Sequence, residues 1–187
     1  VLLAGLAQMR RFAEFDYDIT AVTIDPGFNG VPNNYEAVAR LCEKLDVPFS
    51  LVHTQIGEIV FDIRKEPNPC SLCANMRRGA LHDAAKAAGC NKLALGHNND
   101  DVIETFIMNL FNEGRIGCFS PKTHLDRKDI TVIRPLVLAP ESQVLSACNR
   151  NGFEIVKSVC PADKTTTRQK TKEFLRDMEH KDKGFKL

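Results

Sequence analysis

The sequence predicts an α/β fold built on a doubly wound, mostly parallel sheet. Short β-rich segments alternate with stretches of helical periodicity along nearly the whole chain, and this alternation is typical of a parallel sheet covered by helices. The 187 residues are enough for one domain with its own hydrophobic core. No linker-like segment divides them, so we expect a single domain over residues 1–187.

The first half of the chain predicts two helices, each followed by a strand. Apolar residues at helical spacing predict a helix over residues 2–9, and the β-rich segment 18–25 predicts a strand that is broken by the Pro-Gly pair after it. The same helical spacing recurs over residues 38–45, and a short strand is expected near residues 49–53. Both strands fit the parallel sheet of the predicted fold.

A polar loop and two further helices are expected in the middle of the chain. Residues 65–69 contain two prolines, so they should form a loop that delivers Cys70, and a helix is predicted from about Ala74 to Ala88. A strand over residues 92–95 leads into a polar segment and then into the clearest helix of the sequence. Its apolar stripe is complete: Ile103, Phe106, Ile107, Leu110 and Phe111.

The last third continues the alternation. Residues 112–129 are polar and are expected to form a surface loop, and residues 130–133 read as a strand. A helix over 141–150, a strand over 153–156 and a helical tail from Thr167 should follow. The tail region, about residues 164–187, is biased towards basic side chains: Lys164, Arg168, Lys170, Lys172 and Arg176.

Composition indicates a soluble protein in a reducing compartment. The chain is 43% hydrophobic and 26% charged with a formal net charge of +1, and no apolar run approaches the ~20 residues that cross a bilayer. Seven cysteines are an odd number, which favours reduced thiols over a disulfide framework. The expectations are therefore a cytoplasmic location and no membrane partner. The N-terminus shows no signal peptide and no initiator Met, so we expect the sequence to begin inside a longer chain.

The strongest chemical signal is the pair Cys70 and Cys73. Two thiols three residues apart can bind one metal, and Cys160, followed by a proline where a predicted strand meets a loop, is a candidate third ligand. Closed structural zinc requires four protein ligands, and the sequence has no second CxxC and no matching His pair. Three thiolates suit an iron–sulfur cluster with one open iron better. A redox pair, or two unrelated cysteines, is the alternative.

A second signal is the polar segment Gly96-His97-Asn98-Asn99-Asp100-Asp101 at the start of a predicted helix. In open α/β sheets, ligands bind beyond the carboxyl ends of the strands, and Gly96 would let a ligand approach the backbone closely. Asp100 and Asp101 could hold Mg²⁺ against a phosphate chain. Asn and Asp are also normal residues at helix N-termini, but one cap does not account for the whole group.

Two sets of basic residues are weaker signals. Arg77 and Arg78 follow the cysteine pair by one helical turn, where they could hold phosphates or an RNA backbone or could simply form a solvated helix face. The basic tail could likewise lie along an RNA or serve only solubility. Position alone does not decide between these roles.

These residues together resemble one family. The motif Pro-Cys-Ser-Leu-Cys-Ala-Asn-Met-Arg-Arg-Gly-Ala-Leu at 69–81 is followed by Gly-His-Asn-Asn-Asp-Asp-Val-Ile-Glu-Thr at 96–105, Ile-Arg-Pro-Leu at 133–136, Cys160-Pro161 and Arg168-Gln169. In this order and spacing they are similar to the tRNA 2-thiocytidine synthetases, which are N-type ATP pyrophosphatases of the PP-loop superfamily. The resemblance covers nearly the whole chain and implies an adenine nucleotide alpha-hydrolase-like fold.

The resemblance also implies a reaction. Members bind ATP and Mg²⁺, adenylate the C2 oxygen of an anticodon-loop cytidine in tRNA and replace that oxygen with sulfur. It implies that Cys70, Cys73 and Cys160 hold a [4Fe–4S] cluster. The sulfur would come from sulfide or a donor protein, and family members suggest a homodimer.

The resemblance assigns further residues. It places Asp25, Gly96, His97, Asp100 and Asp101 at the nucleotide. It gives Arg77, Arg78 and Asp101 catalytic or RNA-facing roles.

The sequence departs from the family pattern in two places. The Ser-Gly-Gly-Lys-Asp-Ser phosphate loop is absent from it, and we expect that loop and the first strand upstream of residue 1. Relatives often carry a second CxxC near the third cysteine, whereas position 157 is Lys. A PP-loop relative that thiolates another base, or a non-catalytic metal-bearing RNA-binding module, is the alternative.

Overall fold

The computed structural model describes residues 1–30, 33–163 and 166–186. It contains six α-helices and five strands in that part of the chain, in the alternating order that the sequence predicts. The helices are α1 (Leu2–Met9), α2 (Glu36–Lys44), α3 (Pro69–Ala87), α4 (Asn99–Glu113), α5 (Glu141–Arg150) and α6 (Thr167–Lys181). The strands are β1 (Ala21–Asp25), β2 (Phe49–His53), β3 (Lys92–Ala94), β4 (Lys122–Leu125) and β5 (Ile130–Ile133).

The strands are mostly parallel, as predicted. β1 pairs with β2 in parallel, so that Asp25 lies opposite His53 at the carboxyl ends of both strands. β3 pairs with β5 in parallel, and β4 adds an antiparallel edge to β5. The five described strands therefore form a two-stranded and a three-stranded sheet. The carboxyl ends of parallel strands are the usual position of ligand sites in α/β folds.

The hydrophobic core of the first sheet lies beneath the start of α3. Ile24, Phe28, Ile56, Val60 and Cys73 form a cluster of buried side chains. Val60 belongs to a π-helical segment, Glu58–Arg64, that packs against α3. Because Cys73 is part of this cluster, its position is fixed by packing.

The predicted loop is confirmed over residues 65–68, but the predicted helix start at about Ala74 is wrong, because α3 begins at Pro69. A proline fits the first position of a helix, where the missing N–H has no intrahelical partner to lose. Cys70 and Cys73 therefore lie within the first five residues of α3, which begins before residue 74. Similarly, the first predicted strand begins at Ala21 and not at residue 18.

Two predictions in the second half are also wrong. Residues 112–129 are not all loop, because 122–125 form the edge strand β4, whose polar and mostly exposed side chains gave no strand signal. Residues 153–156 form no strand, and the apolar Ile155 is 68% exposed with no sheet neighbour to cover it. Cys160 is thus reached by an irregular segment. The helical tail is confirmed over Thr167–Lys181, whereas Lys164 lies outside the described residues.

None of the described helices combines the length and the apolar character that a membrane span requires.

Candidate active site

The three predicted cysteine ligands line one cleft of about 440 Å³. Cys70 and Cys73 come from α3, and Cys160 comes from the irregular segment after α5. Cys70 is exposed, Cys73 is buried and Cys160 is half-buried. Arg77 lines the same cleft. The structure therefore brings together residues that are 90 positions apart in the chain.

The helical geometry of α3 explains why two cysteines and an arginine share this cleft. Residues three and four positions apart lie on the same face of an α-helix, and Cys70, Cys73 and Arg77 are spaced by three and four. Successive residues are about 100° apart around the axis, so Arg78 points elsewhere. Arg77 and Arg78 were predicted to share one role, but of the two only Arg77 lines the cysteine cleft.

The thiols of the cleft influence one another. Burial raises the pKa of Cys73, the Arg77 guanidinium opposes this shift, and the charges of Cys160 and Cys70 add to it. Burial and the charge of Cys160 raise the pKa of Cys70. All seven cysteines are free thiols. Three mutually repelling thiolates in one cleft would be stabilised by a bound cation.

The thiols are not already arranged around a metal position. Among the described residues, no three side chains of His, Cys, Asp or Glu are placed to hold one ion. The donor set itself is three sulfurs without a histidine or a carboxylate, which is the ligand chemistry of iron–sulfur clusters and other thiophilic metals. The residues therefore fit such a group by donor type and by their common cleft.

Asp25 lies next to the cysteine cleft at the carboxyl end of β1. Its carboxylate is buried and lies within hydrogen-bond distance of the Gly27 N–H at 3.2 Å, the Asn33 amide at 3.3 Å, the Tyr35 hydroxyl at 3.3 Å and His53 Nδ1 at 3.2 Å. Burial alone would raise the pKa of Asp25, but these hydrogen bonds together hold it below its ordinary value. Asn33 and Tyr35 also line the cleft, so Asp25 organises one of its walls.

The turn after Asp25 is held by close backbone packing. The Thr54 N–H and hydroxyl both donate to the Asp25 carbonyl, at 2.9 and 2.8 Å. The Gly57 N–H donates to the Pro26 carbonyl at 2.7 Å. Gly27 adopts φ +67°, and a Cβ at this position would lie 2.7 Å from the Thr54 carbonyl oxygen. A glycine is therefore required here both by conformation and by space.

Replacing Gly27 by Ala is expected to destabilise the fold by about 2–4 kcal/mol, because it adds a backbone clash to the left-handed conformation. Gly30 is the matched control, since it has φ +64° but no atom within 4 Å of the position that a Cβ would occupy. Gly30→Ala should lose only the conformational part, about 1–2 kcal/mol. Urea unfolding of both variants measures the difference. Equal losses would show that the contact with Thr54 has no energetic weight.

The start of α4 forms a capping box. The Asn98 side chain accepts from the Asp101 N–H at 3.1 Å, and the Asp101 carboxylate accepts from the Asn98 N–H at 2.9 Å. The other Asp101 oxygen lies 3.4 Å from Arg168 Nη1. The two oxygens of Asp100 accept from the Glu141 N–H at 2.7 Å and from Lys186 Nζ at 3.0 Å.

Both predicted Mg²⁺ carboxylates are thus engaged by protein donors on each oxygen. Direct coordination of Mg²⁺ by Asp100 or Asp101 would require Lys186, Arg168 or a backbone N–H to be displaced. The contribution of these residues to nucleotide binding stays a prediction. Asp100 and Asp101 nevertheless line a second, polar cavity of about 260 Å³, together with residues of α5 and α6.

Glu104, a buried carboxylate of α4, was not predicted as a site residue. It is 5% exposed and lies 2.8 Å from Arg168 Nη1, while Arg168 Nη2 donates to the Thr105 hydroxyl at 3.1 Å. Burial raises the pKa of Glu104, and Arg168 only partly opposes this shift. The available signal was an acidic residue three positions before Ile107 in the apolar stripe of α4. A charge in such a position requires a partner.

The basic tail is only partly available for RNA. Arg168 is bound to Glu104 and Asp101, and Lys172 Nζ lies 2.6 Å from Glu141. These contacts fasten α6 to the start of α4 and α5. Lys170 and Arg176 form no ion pair within the described residues.

His97 and Gly96 follow β3 at its carboxyl end. The His97 ring packs against Phe119 with 4.8 Å between ring centroids. Its Nδ1 atom is shielded from solvent and has no hydrogen-bond partner among the described residues. Burial lowers the pKa of His97, Asp101 opposes this, and Arg134, Arg168 and Arg78 lower it further. Gly96 is exposed, with only Leu2 near its Cβ position at 4.0 Å.

Residues 1–178 match the family of the PP-loop domain. This chain belongs to the PP-loop family. It is 38% identical over 181 residues to the tRNA-cytidine(32) 2-sulfurtransferase of Pelobacter propionicus, covering 95% of this chain and 66% of the relative. It is 34% identical over 188 residues to the protein of the same description from Geobacter sulfurreducens, covering 99% of this chain and 72% of the relative.

A solved structure agrees with the fold. The chain matches the U34-tRNA thiolase NcsA from Methanococcus maripaludis, solved with its [4Fe–4S] cluster, at a TM-score of 0.75 and 24% identity. The match covers 98% of this chain and 63% of the thiolase chain. This match and the family match confirm the predicted α/β, PP-loop type of fold, and the family match and the relatives confirm the predicted family. The chain spans about two thirds of the length of these relatives.

Proposed function

We propose that this protein is an ATP-dependent tRNA sulfurtransferase that replaces the C2 oxygen of an anticodon-loop cytidine with sulfur. The observation that carries this proposal is the convergence of three free thiols and Arg77 in one cleft. The relatives named tRNA-cytidine(32) 2-sulfurtransferase support the substrate and the reaction. A redox pair would need only Cys70 and Cys73, so the presence of Cys160 in the same cleft favours a metal group.

Cys70, Cys73 and Cys160 would hold a [4Fe–4S] cluster. When bound by three cysteines, such a cluster offers one iron without a protein ligand, which can carry the incoming sulfide. Arg77 lies beside the thiols and offsets their negative charge. The core contacts of Cys73 keep the start of α3 in place around them.

The proposed reaction has two steps. In the first, the C2 oxygen of cytidine attacks the α-phosphorus of ATP and pyrophosphate leaves. In the second, sulfide attacks C2, the C2–O bond breaks and AMP leaves. Asp25 and its hydrogen-bond partners shape the wall of the cleft at the end of β1, and Arg77 provides a fixed positive charge where negative charge develops on the phosphate.

ATP and Mg²⁺ are cofactors of this proposal, as in other PP-loop proteins. Because the oxygens of Asp100 and Asp101 are engaged by Lys186, Arg168 and backbone N–H groups, neither proposed step depends on their coordination of Mg²⁺. Asp101 remains a proposed catalytic residue, and Arg168 holds its carboxylate in place. The identity of the sulfur donor and the homodimer remain proposals, as does the cytoplasmic location.

Anaerobic purification tests the proposal directly. We expect about four irons and four acid-labile sulfides per chain, an absorption shoulder typical of a [4Fe–4S] cluster, and little zinc. Incubation with ATP, Mg²⁺, sulfide and unmodified tRNA should then yield 2-thiocytidine by mass spectrometry of the digested nucleosides.

The two readouts separate the alternatives. A thiolated uridine in place of cytidine would assign the protein to another branch of tRNA thiolation. Stoichiometric zinc without iron, in protein kept from oxygen, would contradict the cluster and the sulfur transfer built on it.

A further inference from the structure

The third cysteine of the cleft is carried by a weakly held segment. Residues 154–159, here called the strap, lie between α5 and Cys160 and form no helix, strand or turn. In the part of the chain that the structure describes, their backbone groups form no hydrogen bond with another backbone group. Two of their apolar side chains are exposed, Ile155 by 68% and Val159 by 38%. An exposed backbone and few buried apolar contacts are typical of segments with low local stability.

The strap forms one border of the cysteine cleft. Residues 156–159 line the cleft together with Cys160. The Cys160 N–H donates to the Ser158 hydroxyl oxygen at 3.3 Å, and the Cys160 carbonyl accepts from the Asp163 N–H at 3.0 Å. Cys160 itself packs against the buried cluster that contains Cys73. A displacement of the strap would therefore displace the Cys160 thiol.

An ion pair joins the strap to α2. Arg40 Nη2 donates to both carboxylate oxygens of Glu154, the first strap residue, at 2.9 and 3.2 Å. Arg40 Nη1 also lies 3.6 Å from Glu36 of the same helix. Tyr35, which directly precedes α2, lines the cleft. The chain from Glu154 to Cys160 can span at most about 20 Å, so the point at which Arg40 holds Glu154 restricts where Cys160 can lie.

One thiol must move before the three can hold one group, because the described thiols are not placed around a common metal position. Cys73 is packed into the buried cluster, and Cys70 shares its helix. The spacing of these two thiols is therefore set by α3. Cys160 is attached to the strap instead, whose backbone is not tied to a sheet or a helix. Cys160 is the ligand with the greater freedom to approach the others.

We propose that the Arg40–Glu154 ion pair is a positioning contact, which holds the strap against α2 and so keeps Cys160 within reach of the thiols of α3. This inference rests on the proposed function where it treats Cys160 as the third cluster ligand. Arg40 and Glu154 act through the strap and do not touch the bound group. Because their side chains are 57% and 66% exposed, the loss of the pair should alter the position of the strap with little effect on the stability of the fold.

The test is charge reversal in the full-length protein, with Arg40→Glu, Glu154→Arg and a variant that carries both changes. In reduced, metal-free protein, iodoacetamide should alkylate Cys160 about threefold to fivefold faster in each single variant, the upper range for an exposed ion pair. Peptide mass spectrometry resolves each cysteine, and Cys90, which lies beyond the far end of α3, is the internal reference. The double variant restores an ion pair with its charges exchanged and should return the Cys160 rate to near the wild-type value.

Iron retention is a second measurement, made on protein loaded under anaerobic conditions. Each single variant should release iron to an excess of chelator about threefold to fivefold faster than wild type, and the double variant should release it more slowly again. Glu36→Gln is the matched control, because it removes the other carboxylate near Arg40 and leaves the pair with Glu154 in place. Its alkylation and iron-release rates should match those of wild type.

The outcomes distinguish this inference from the proposed function. A Cys160 alkylation rate that is equal in all variants, or that stays raised in the double variant, would refute the positioning contact even in a protein that thiolates tRNA. Equal rises at Cys90 and Cys160 would show a general loosening of the fold and would refute it as well. Wild-type protein that binds no iron would refute the proposed function instead, whereas alkylation of the metal-free protein would still measure the effect of the ion pair on Cys160.

Discussion

Replacing Cys70 by Ala is expected to abolish tRNA thiolation while the protein remains folded. The Cys70 side chain is exposed at the first turn of α3 and is not part of the buried cluster, so its loss removes a proposed ligand and little packing. Two thiolates cannot hold a cluster as three do, and we expect bound iron to fall to a small fraction of the wild-type content. Thiolation should fall below detection in the same samples.

Cys90→Ala is the matched control for this experiment. Cys90 is also a free thiol, but it follows α3 at the opposite end of the helix from the cleft, and the hydrogen bond of its thiol to the Ala88 carbonyl is weak, at 3.9 Å. Iron content and thiolation should be unchanged in this variant, and circular dichroism should show the same helix content in all proteins. Cys70→Ala protein that still thiolates tRNA would refute the ligand assignment.

Replacing Arg168 by Ala is expected to destabilise the protein by about 1–3 kcal/mol at neutral pH. The change leaves the buried Glu104 without its cation, and breaking a fully buried pair costs about 3–5 kcal/mol. The expected loss of stability is smaller than for a fully buried pair, because the Arg168 side chain is 43% exposed and water offsets part of the loss. Glu104→Gln in the Arg168→Ala background should recover part of the stability, because the buried group is then neutral.

The loss should depend on pH with a definite sign. Burial already raises the pKa of Glu104 above its ordinary value, and removing Arg168 raises it further. The folded state then binds the Glu104 proton more tightly than the unfolded state does, so the stability of the variant falls as pH rises through the folded pKa. The difference between wild type and Arg168→Ala should therefore be small in acid and larger near neutral pH.

Urea unfolding in acid and at neutral pH measures the difference in stability between wild type and Arg168→Ala. Arg40→Ala serves as the control. Arg40 pairs with Glu154 on the surface, where both side chains are more than half exposed, so its removal should cost less than about 1 kcal/mol at either pH. An Arg168→Ala loss that matches the Arg40→Ala loss, or that does not change with pH, would show that the Glu104 pair is not a buried ion pair in energetic terms.

Local periodicity was enough to predict most of the helices and the parallel strands. The apolar stripe of α4 follows the helical period, although Phe111 at its end is 67% exposed. The β-rich run of β5 alternates between buried and half-buried residues, as a strand requires. The errors fall where that signal is absent. β4 is polar and mostly exposed, Ile155 is apolar but uncovered, and Pro69 opens a helix although prolines are more often read as breakers.

The candidate site was predictable only in part, for a different physical reason. Residue types identified Cys70, Cys73 and Cys160, and the fold brings them to one cleft. Pairings across the chain could not be read from the sequence, because they depend on which elements pack together. The contacts of Arg168 with Glu104 and of Lys186 with Asp100 each join residues more than 60 positions apart. Through these contacts, Asp100 and Asp101, which were predicted to bind a metal, and Arg168, which was predicted to lie along an RNA, hold structural elements together.

The continuity of α3 has a mechanical consequence. The helix has 19 residues and is about 28 Å long, and within its first ten residues it carries two thiols, Arg77 and Arg78. A hydrogen-bonded helix moves as a rigid rod, so a rotation that draws Cys70 and Cys73 towards a bound group also swings Arg78 around the same axis. Because α3 is continuous between these residues, the position of the thiols and the position of Arg78 change together.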